Sequence, residues 1–385
     1  MNTALRHWKE AATVILAAGT RHKLPVDSLT RCVDKVFDYE VLLLKRSGTS
    51  GFMPNAYVFP GGLLDPSDFS SEWFDLFQSF RRSPNFGLGF VKQAPETRPP
   101  IFATDRKKLG SLVPGDVAFR ICAVRETFEE SGVLLVVSKE EESTLFNSIE
   151  NNRYSQPELT RITDLCDKSE LAKWRVLVNE KPSNFIRMCR ELECLPNIWA
   201  LHEWGNWLTP TGVYGKQRRY DTAFYMCCLQ ETPPHTLQDE KEIVGPPPEI
   251  LHSYQAREMW IAPPQFYDLS RMCRFPSLQN LHSFSRQRAS EGCEQWLPVR
   301  MVSDSYYISL LPGDEMYPEE GSCQMDVTLK TDQSLNELHQ GCSALHRIVA
   351  LDPYTAAAVI TITPKYNQLL PFTRSSLRTG TSSQL

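Results

Sequence analysis

The length of 385 residues suggests about two domains, or one domain with large insertions, and the composition of 41% hydrophobic and 23% charged residues is typical of a soluble globular protein. Its formal net charge of −5 leaves no basic excess to neutralise phosphates, which argues against a general nucleic-acid binder. The 11 cysteines include no C-x-x-C pair, so we expect reduced thiols in an intracellular protein rather than a disulfide framework or a zinc site.

The first apolar run, from Ala11 to Ala18, is too short to cross a bilayer. It reads as the first β-strand, because it is rich in strand-forming residues. No clear cleavage site follows it, which disfavours a secretory signal. A mitochondrial transit peptide remains the alternative, because basic residues precede the run at Arg6, His7 and Lys9.

The next segments predict two more strands and a sharp turn. "YEVLLLKRSG" indicates a buried strand from Tyr39, and a short strand from Tyr57 to Phe59 leads into Pro60-Gly61-Gly62. Residues 65 to 82 predict one helix with an aromatic and apolar stripe of Phe69, Trp73, Leu76, Phe77 and Phe80. We interpret that stripe as core, with a substrate lid or acyl channel as the alternative, and expect a long loop up to Pro114.

The second half of the chain mixes helices and strands. Residues 140 to 198 contain further helical segments, and "RRYDTAFYMCCL", from Arg218 to Leu229, has a strand pattern. "ETPPHTLQDEKEIVGPPPE" reads as a polar, proline-rich loop. From about Leu297 onward, the pattern favours short strands separated by turns.

The stretch "AVRETFEESGVLL", from Ala123 to Leu135, predicts a helix that ends at Gly132. Four apolar residues fall on one stripe at helical spacing: Val117, Ile121, Val124 and Phe128. Three acidic residues share the opposite face: Glu126, Glu129 and Glu130. We therefore expect a buried stripe that holds three neighbouring carboxylates in place.

The acidic face has two interpretations. It is either a solvated charged surface or a divalent-cation site, since hard cations take oxygen ligands and clustered carboxylates supply them. "VFPGG", which ends at Gly62, adds a glycine turn whose backbone carbonyl, at Gly61, can complete a metal site. The two features together favour the metal site.

This combination resembles the signature of the Nudix hydrolases, G-x5-E-x7-R-E-U-x-E-E-x-G-U, where U is a bulky apolar residue. The second half matches from Arg125 to Val133. Gly62 and Arg125 are separated by 62 residues, which indicates an insertion of about 49 residues, at about positions 65–114. The first glutamate of the signature, counted back from the arginine, falls on Val117, and we expect the neighbouring Asp116 to replace it.

The resemblance implies an α/β protein with the Nudix fold, a mixed sheet in an α/β/α sandwich, with a large insertion in the Nudix box. It implies a Nudix domain over residues 1–265. A C-terminal, β-containing extension is expected over residues 266–385, ending in a flexible tail.

Within that family the chain resembles the branch of peroxisomal coenzyme A diphosphatases. The similar segments are "ALHEWGNWLTP", "RRYDTAFY", "WIAPPQFYDL", "ISLLPGDEMY" and part of "LLLKRSGTSGFMPNAYVFPGG". The resemblance implies metal-dependent hydrolysis of coenzyme A and acyl-coenzyme A to 3′,5′-ADP and (acyl-)4′-phosphopantetheine. The alternatives are hydrolysis of another nucleoside diphosphate, such as NADH, ADP-ribose or an RNA cap, and nucleotide sensing without turnover.

The same resemblance implies roles for individual residues. The expected ligands of Mg²⁺ or Mn²⁺ are Glu126, Glu129 and Glu130 with the carbonyl of Gly61, and Arg125 is expected to fix a ligand carboxylate. The general base is one of these glutamates or a loop acid, Glu240 or Glu242. Expected contacts to the 3′-phosphate or the adenine ribose are Arg46 and the basic cluster of Lys216, Arg218 and Arg219.

The C-terminus predicts a location. Ser383-Gln384-Leu385 resembles the S-K-L peroxisomal address, with Gln384 in place of the usual basic residue. We therefore expect a peroxisomal import receptor as a partner and the peroxisome as the compartment, with the mitochondrion as the alternative. A membrane partner is not expected.

Overall fold

The computed structural model describes residues 8–20, 36–150, 159–210, 219–232, 242–318 and 328–371. The strands in these ranges are β1 (Lys9–Gly19), β2 (Tyr39–Lys45), β3 (Ala56–Val58), β4 (Gly61–Leu63), β5 (Val136–Ser138), β6 (Cys194–Pro196), β7 (His202–Leu208), β8 (Tyr220–Leu229), β9 (Glu242–Gly245), β10 (Trp260–Ile261), β11 (Gln295–Trp296), β12 (Val299–Val302), β13 (Tyr307–Leu310), β14 (Thr328–Lys330), β15 (His346–Asp352) and β16 (Thr355–Ile360). The α-helices are α1 (Trp73–Leu76), α2 (Pro100–Ala103), α3 (Gly115–Ser131), α4 (Lys139–Glu150), α5 (Lys168–Glu180), α6 (Asn184–Glu191), α7 (Pro247–Gln255), α8 (Pro263–Met272), α9 (Leu278–Ala289) and α10 (Leu335–Gln340).

A mixed sheet of nine strands forms the centre of the molecule, in the order β10-β3-β2-β1-β8-β7-β11, with β4 also on β1 and β9 also on β2. Alternate residues of β1 point to opposite faces, so Val14 and Leu16 enter one core while Ile15 and Ala17 enter the other. Helix α3 packs on the first face, and α7, α8 and α9 contribute to the core on the second. The expected α/β/α sandwich with a mixed sheet is confirmed.

Strands β1 and β2 diverge, and this divergence positions the glycine turn. Strand β1 pairs with β2 only over its last residues, Ala17–Gly19, and pairs with β4 near its start, Ala11–Thr13. The segment from β3 to β4 fills the gap between the two strands, because β3 pairs with β2 and β4 pairs with β1. Gly61 therefore lies opposite Thr13, beneath α3.

Helix α3 is buried on nearly every side. The predicted stripe is fully buried: Val117, Ile121, Val124 and Phe128. Thr127, where the signature has an apolar residue, is also buried, and its hydroxyl donates to the Ala123 carbonyl at 2.7 Å. Gly132 ends the helix with φ 76°, as predicted, in a conformation that residues with a Cβ rarely adopt.

The single helix predicted for residues 65–82 is wrong. The segment contains a 3₁₀ turn at Pro66–Phe69 and the one-turn helix α1, and further turns follow. Helical spacing misleads here because consecutive turns can point Trp73, Phe77 and Phe80 into one core; each is at most 1% exposed. These three side chains therefore form core, as we interpreted the stripe, rather than a lid. The long loop expected up to Pro114 also contains α2.

The C-terminal region forms a second sheet of five strands, in the order β14-β12-β13-β15-β16. Short strands were expected there. A fully buried ion pair between Arg347 and Asp314, with two bonds of 2.6 Å, links β15 to the turn after β13. Arg271 of α8 donates to the Leu369 carbonyl at 2.8 Å, which ties the last described segment to the central sandwich.

The cysteines, the proline-rich loop and the helices were the subject of further expectations. The described cysteines are all unpaired, and six of the nine are buried. The loop expected in "ETPPHTLQDEKEIVGPPPE" also carries β9 and the start of α7. Within the described part of the chain, no helix combines the length and the apolar character needed to cross a membrane.

Candidate active site

The three predicted glutamates lie together on the last two turns of α3. The pKa of Glu126 is raised to about 7, chiefly by burial; the charge of Arg125 opposes this rise, and the charges of Glu129 and Glu130 contribute to it. The pKa of Glu130 is also raised to about 7, chiefly by burial. Glu130 is nevertheless accessible to solvent, so protein atoms surround it on several sides while part of its side chain stays open to water.

The glycine turn contacts this cluster directly. The Gly61 N–H donates to Glu130 Oε2 at 2.9 Å. At Gly62, a Cβ would lie 2.4 Å from Glu126 Oε2, so only glycine lets strand β4 pass this close to the carboxylate. The structure therefore brings Gly61 together with the glutamates, as predicted from the sequence.

Arg125 connects the cluster to the rest of the protein. It is 1% exposed, and its Nη1 donates to Glu126 Oε1 at 2.9 Å and to Glu129 Oε1 at 2.8 Å. Its Nε and Nη2 donate to the two oxygens of Asp68, both at 2.9 Å. Burial opposes the charge on Arg125, but the hydrogen bonds and charge of Asp68 outweigh it and raise the pKa of the guanidinium. Arg125 thus holds two ligand candidates in fixed orientations.

Asp68 is the residue that sequence reasoning missed. The expected substitute, Asp116, bonds to Arg98 at 3.2 Å and to Asn85 at 3.1 Å, and it takes no part in the Arg125 network. The sequence does contain a signal for Asp68, because the G-x5-E spacing falls on this residue when it is counted forward from Gly62. The extra residues therefore lie between Asp68 and Arg125, so a count back from the arginine ran into the insertion.

The composition of the cluster fits a divalent cation. Asp68 and Arg125 offset one another, which leaves three neighbouring glutamates with only part of their charge compensated. Among the described residues no set of three His, Cys, Asp or Glu side chains is already arranged as a metal site, and the glutamates bond to Arg125 and Gly61. Oxygen donors with excess negative charge are nevertheless the set that hard cations prefer.

Arg46 and Arg219, both predicted to contact the substrate, lie in different surroundings. Arg46 lies near enough for its charge to lower the pKa of Glu130, and it donates to the Phe52 carbonyl at 3.0 Å and to Ser50 Oγ at 3.2 Å. Arg219 is buried, with its guanidinium 5.5 Å from the centre of the Trp8 ring.

Arg219 also lies apart from the glutamates along the sheet. Its carbonyl accepts from Lys9, four residues along β1 from the Thr13 that faces Gly61, or about 13 Å at 3.3 Å per residue. The structure thus brings Arg46, but not Arg219, together with the glutamates.

Of the two loop acids proposed as general base, only Glu242 is among the described residues. Glu240 lies outside the described residues, as do Lys216 and Arg218. Glu242 begins β9 and lies directly opposite Leu44 of β2. Because directly opposite residues of an antiparallel pair share a face, and Leu44 belongs to the core beneath α3, Glu242 lies on the glutamate side of the sheet.

Comparison with known proteins identifies the family. The profile of the NUDT19 Nudix domain matches residues 8–272, and that of the NUDT19 C-terminal domain matches residues 300–361. The chain belongs to the NUDT19 family of Nudix hydrolases. Such a hydrolase acts on diphosphate bonds, and Nudix hydrolases generally use divalent metals.

Relatives within this family match the chain over almost its whole length. Acyl-coenzyme A diphosphatase NUDT19 of Gallus gallus is 46% identical over 96% of this chain and 96% of its own length. The protein of the same name from Xenopus laevis is 46% identical over 98% of both chains. The Homo sapiens protein of that name is 38% identical over 96% of this chain and 97% of its own.

Proposed function

We propose that this protein is an acyl-coenzyme A diphosphatase that cleaves coenzyme A and acyl-coenzyme A to 3′,5′-ADP and (acyl-)4′-phosphopantetheine. The observation that carries the proposal is the intact glutamate trio around Arg125, in a chain similar over 96% of its length to proteins named for this activity. The proposed ligands of Mg²⁺ or Mn²⁺ are Glu126, Glu129, Glu130 and the carbonyl of Gly61.

A bound divalent cation supplies charge neutralisation at the phosphate oxygens and lowers the pKa of water. The protein supplies the arrangement. Arg125 fixes the carboxylates of Glu126 and Glu129, and the Gly61 N–H fixes one oxygen of Glu130. These groups are oriented before the substrate binds, which reduces the reorganisation needed during the reaction.

We propose one of two described acids as the general base. The side chain of Glu130 is open to solvent, so it can exchange a proton with water. Glu242 lies on the same side of the sheet and outside the metal-binding trio. Replacing each acid by glutamine distinguishes the two candidates. Loss of the general base lowers kcat even when the metal concentration is saturating.

The positive charge beside the cluster suits the anionic part of the substrate. Arg46 is half-buried and near Glu130, and its ring contact with Phe52, 5.7 Å from the centroid, orders the loop that follows β2. We assign Arg46 to a phosphate of the substrate. Arg46→Ala is expected to raise KM for acyl-coenzyme A more than it lowers kcat.

The substrate assignment is tested with purified protein and Mg²⁺ or Mn²⁺. The protein is incubated separately with coenzyme A, an acyl-coenzyme A, NADH, ADP-ribose and capped RNA, and the products are identified by mass spectrometry. We expect 3′,5′-ADP from the first two substrates and little cleavage of the others. Rapid NADH, ADP-ribose or cap hydrolysis beside intact coenzyme A would overturn the substrate class.

We also assign the protein to the peroxisome through Ser383-Gln384-Leu385, which lies outside the described residues. A fluorescent protein fused to the N-terminus is expected to colocalise with a peroxisomal marker and to become diffuse when the three residues are deleted. Mitochondrial fluorescence, observed with a tag on the C-terminus so that the N-terminus is free, would instead support the alternative compartment.

A further inference from the structure

The end of α3 that carries Glu129 and Glu130 is held by a helix outside the Nudix signature. The last four carbonyls of an α-helix have no partner within it. Here the Arg175 Nε donates to the Glu129 carbonyl at 2.8 Å, and its Nη2 donates to the Glu130 carbonyl at 2.6 Å. Asn179, one turn further along α5, donates to the Glu129 carbonyl at 3.3 Å.

The sequence of α5 explains why these two side chains reach α3. Asp167 caps the start of α5 by accepting from the Glu170 N–H at 2.9 Å. Trp174 and Val178, four residues apart, are buried in the core that α3 shares. Arg175 and Asn179 have the same spacing and are rotated by one residue, so both lie at the edge of the contact with α3. Asn179 also donates to the Arg175 carbonyl at 2.9 Å.

The charge of Arg175 acts where negative charge accumulates. The C-terminus of a helix carries partial negative charge, and here it lies beside three carboxylates. Arg175 is within electrostatic range of the Glu130 carboxylate. A guanidinium can bond to two carbonyls at once, whereas the single ammonium of lysine provides the charge without the planar fork.

We infer that Arg175, assisted by Asn179, is a positioning residue for the metal site: by fixing the backbone of Glu129 and Glu130 it sets where their carboxylates meet the cation. This rests on the proposed function, in which those glutamates bind the metal. In this role Arg175 acts through the Glu129 and Glu130 carbonyls rather than through contact with the substrate or the cation. Its contribution is to the affinity for metal and to kcat, with little effect on KM for the substrate.

The test compares Arg175→Ala, Arg175→Lys and Asn179→Ala with the wild type. Lys173→Ala is the matched control, since Lys173 is an exposed cation on the same helix. Mn²⁺ affinity is measured by electron paramagnetic resonance without substrate, kcat and KM are measured with acyl-coenzyme A, and thermal unfolding is followed without metal. We expect Arg175→Ala to weaken Mn²⁺ binding and lower kcat by about 10- to 100-fold, as removal of groups that orient metal ligands does.

The other variants distinguish positioning from general stabilisation. Arg175→Lys is expected to recover part of the loss, Asn179→Ala to lose a few-fold, and Lys173→Ala to match the wild type. If Arg175→Ala does not fold, the lysine and Asn179 variants decide the outcome. Wild-type Mn²⁺ affinity and kcat in the folded variants would overturn the inference. A wild type that neither binds Mn²⁺ nor cleaves acyl-coenzyme A would overturn the proposed function, and the inference with it.

Discussion

The two ends of α3 carry ionic clusters of opposite character. At the N-terminal end, Arg98 pairs with Glu203 at 2.8 Å and with Asp116 at 3.2 Å, and Arg120 lies 3.9 Å from Asp116. Burial acts to raise the pKa of Glu203, but the neighbouring arginines outweigh it and hold the pKa below its usual value. At the C-terminal end the balance is reversed, and the pKa of Glu126 is raised to about 7.

We interpret the first cluster as a structural network and propose that the second binds a cation. The first cluster matches two acids with two arginines and leaves little charge to attract a ligand. The second keeps carboxylates close together, with less positive charge around them than their negative charge requires. Such an arrangement does not stabilise the fold, which supports the proposal that the second cluster binds a cation.

The largest expected effect follows from removing a charge at the C-terminal end. Glu126→Gln and Glu130→Gln should each lower kcat by about 100- to 1,000-fold, as loss of other positioned electrostatic groups does. The exposed Glu140 of α4, replaced by Gln, is the control and should keep wild-type activity. Mg²⁺-dependent turnover near the wild-type rate in both site variants would refute the metal-site assignment.

At the N-terminal end, the expected effect is on stability. Arg98→Met leaves the buried Glu203 without its closest partner and should lower the free energy of unfolding by about 3 kcal/mol. The control is Lys92→Met, which breaks the exposed pair with Glu291 and should cost less than about 1 kcal/mol. Urea denaturation measures both. Equal losses, or loss of kcat in the folded Arg98 variant, would remove the distinction between the two ends.

A third experiment decides which acid supports Arg125. Asp68→Asn weakens its two-bond contact with Arg125 and should lower kcat by about 10- to 100-fold. Asp116→Asn, at the other end of α3, should change kcat by less than about threefold once its lower stability is allowed for. Steady-state kinetics at a temperature where both variants are folded gives the answer. The reverse order of effects would restore Asp116 as the acid of the signature.

The smallest effect concerns pH. A carboxyl whose folded-state pKa is raised from 4.5 to about 7 keeps its proton in the folded protein where the unfolded chain has lost it. The free energy of unfolding without metal should therefore fall as the pH rises between about 4.5 and 7, by on the order of 2 kcal/mol for Glu126. Glu126→Gln should show a shallower fall. Denaturation of both proteins in EDTA across this pH range tests the prediction. The same pH dependence of the free energy of unfolding in both would contradict the raised pKa of Glu126.

Local patterns predicted much of the fold and the site. Apolar spacing predicted α3, and Gly132 predicted its end, because a helix and its end depend on residues close together in the chain. The glutamates could be assigned to one face of α3 for the same reason. The succession of turns in residues 65–82 could not be predicted. Trp73 and Phe77 are placed there by their contacts in the core and not by the period of one helix.

The parts of the site that were missed depend on distant contacts. Asp68 is 57 positions from Arg125, and the insertion hides the spacing that relates them. Arg175 is 46 positions from Glu129 and belongs to no motif. The assignment of Arg219 to the substrate used its charge alone, and the packing on Trp8 that buries it is not visible in the sequence.

The most direct test of the difference between the two ends of α3 is calorimetric titration of Mn²⁺ into the metal-free wild type, Glu126→Gln and Glu203→Gln. We predict that the wild type and the folded Glu203 variant bind Mn²⁺ with similar affinity, and that Glu126→Gln binds it at least about tenfold more weakly. A wild type that binds no Mn²⁺, or equal affinity in the Glu126 variant, would contradict the assignment of the C-terminal cluster as the metal site.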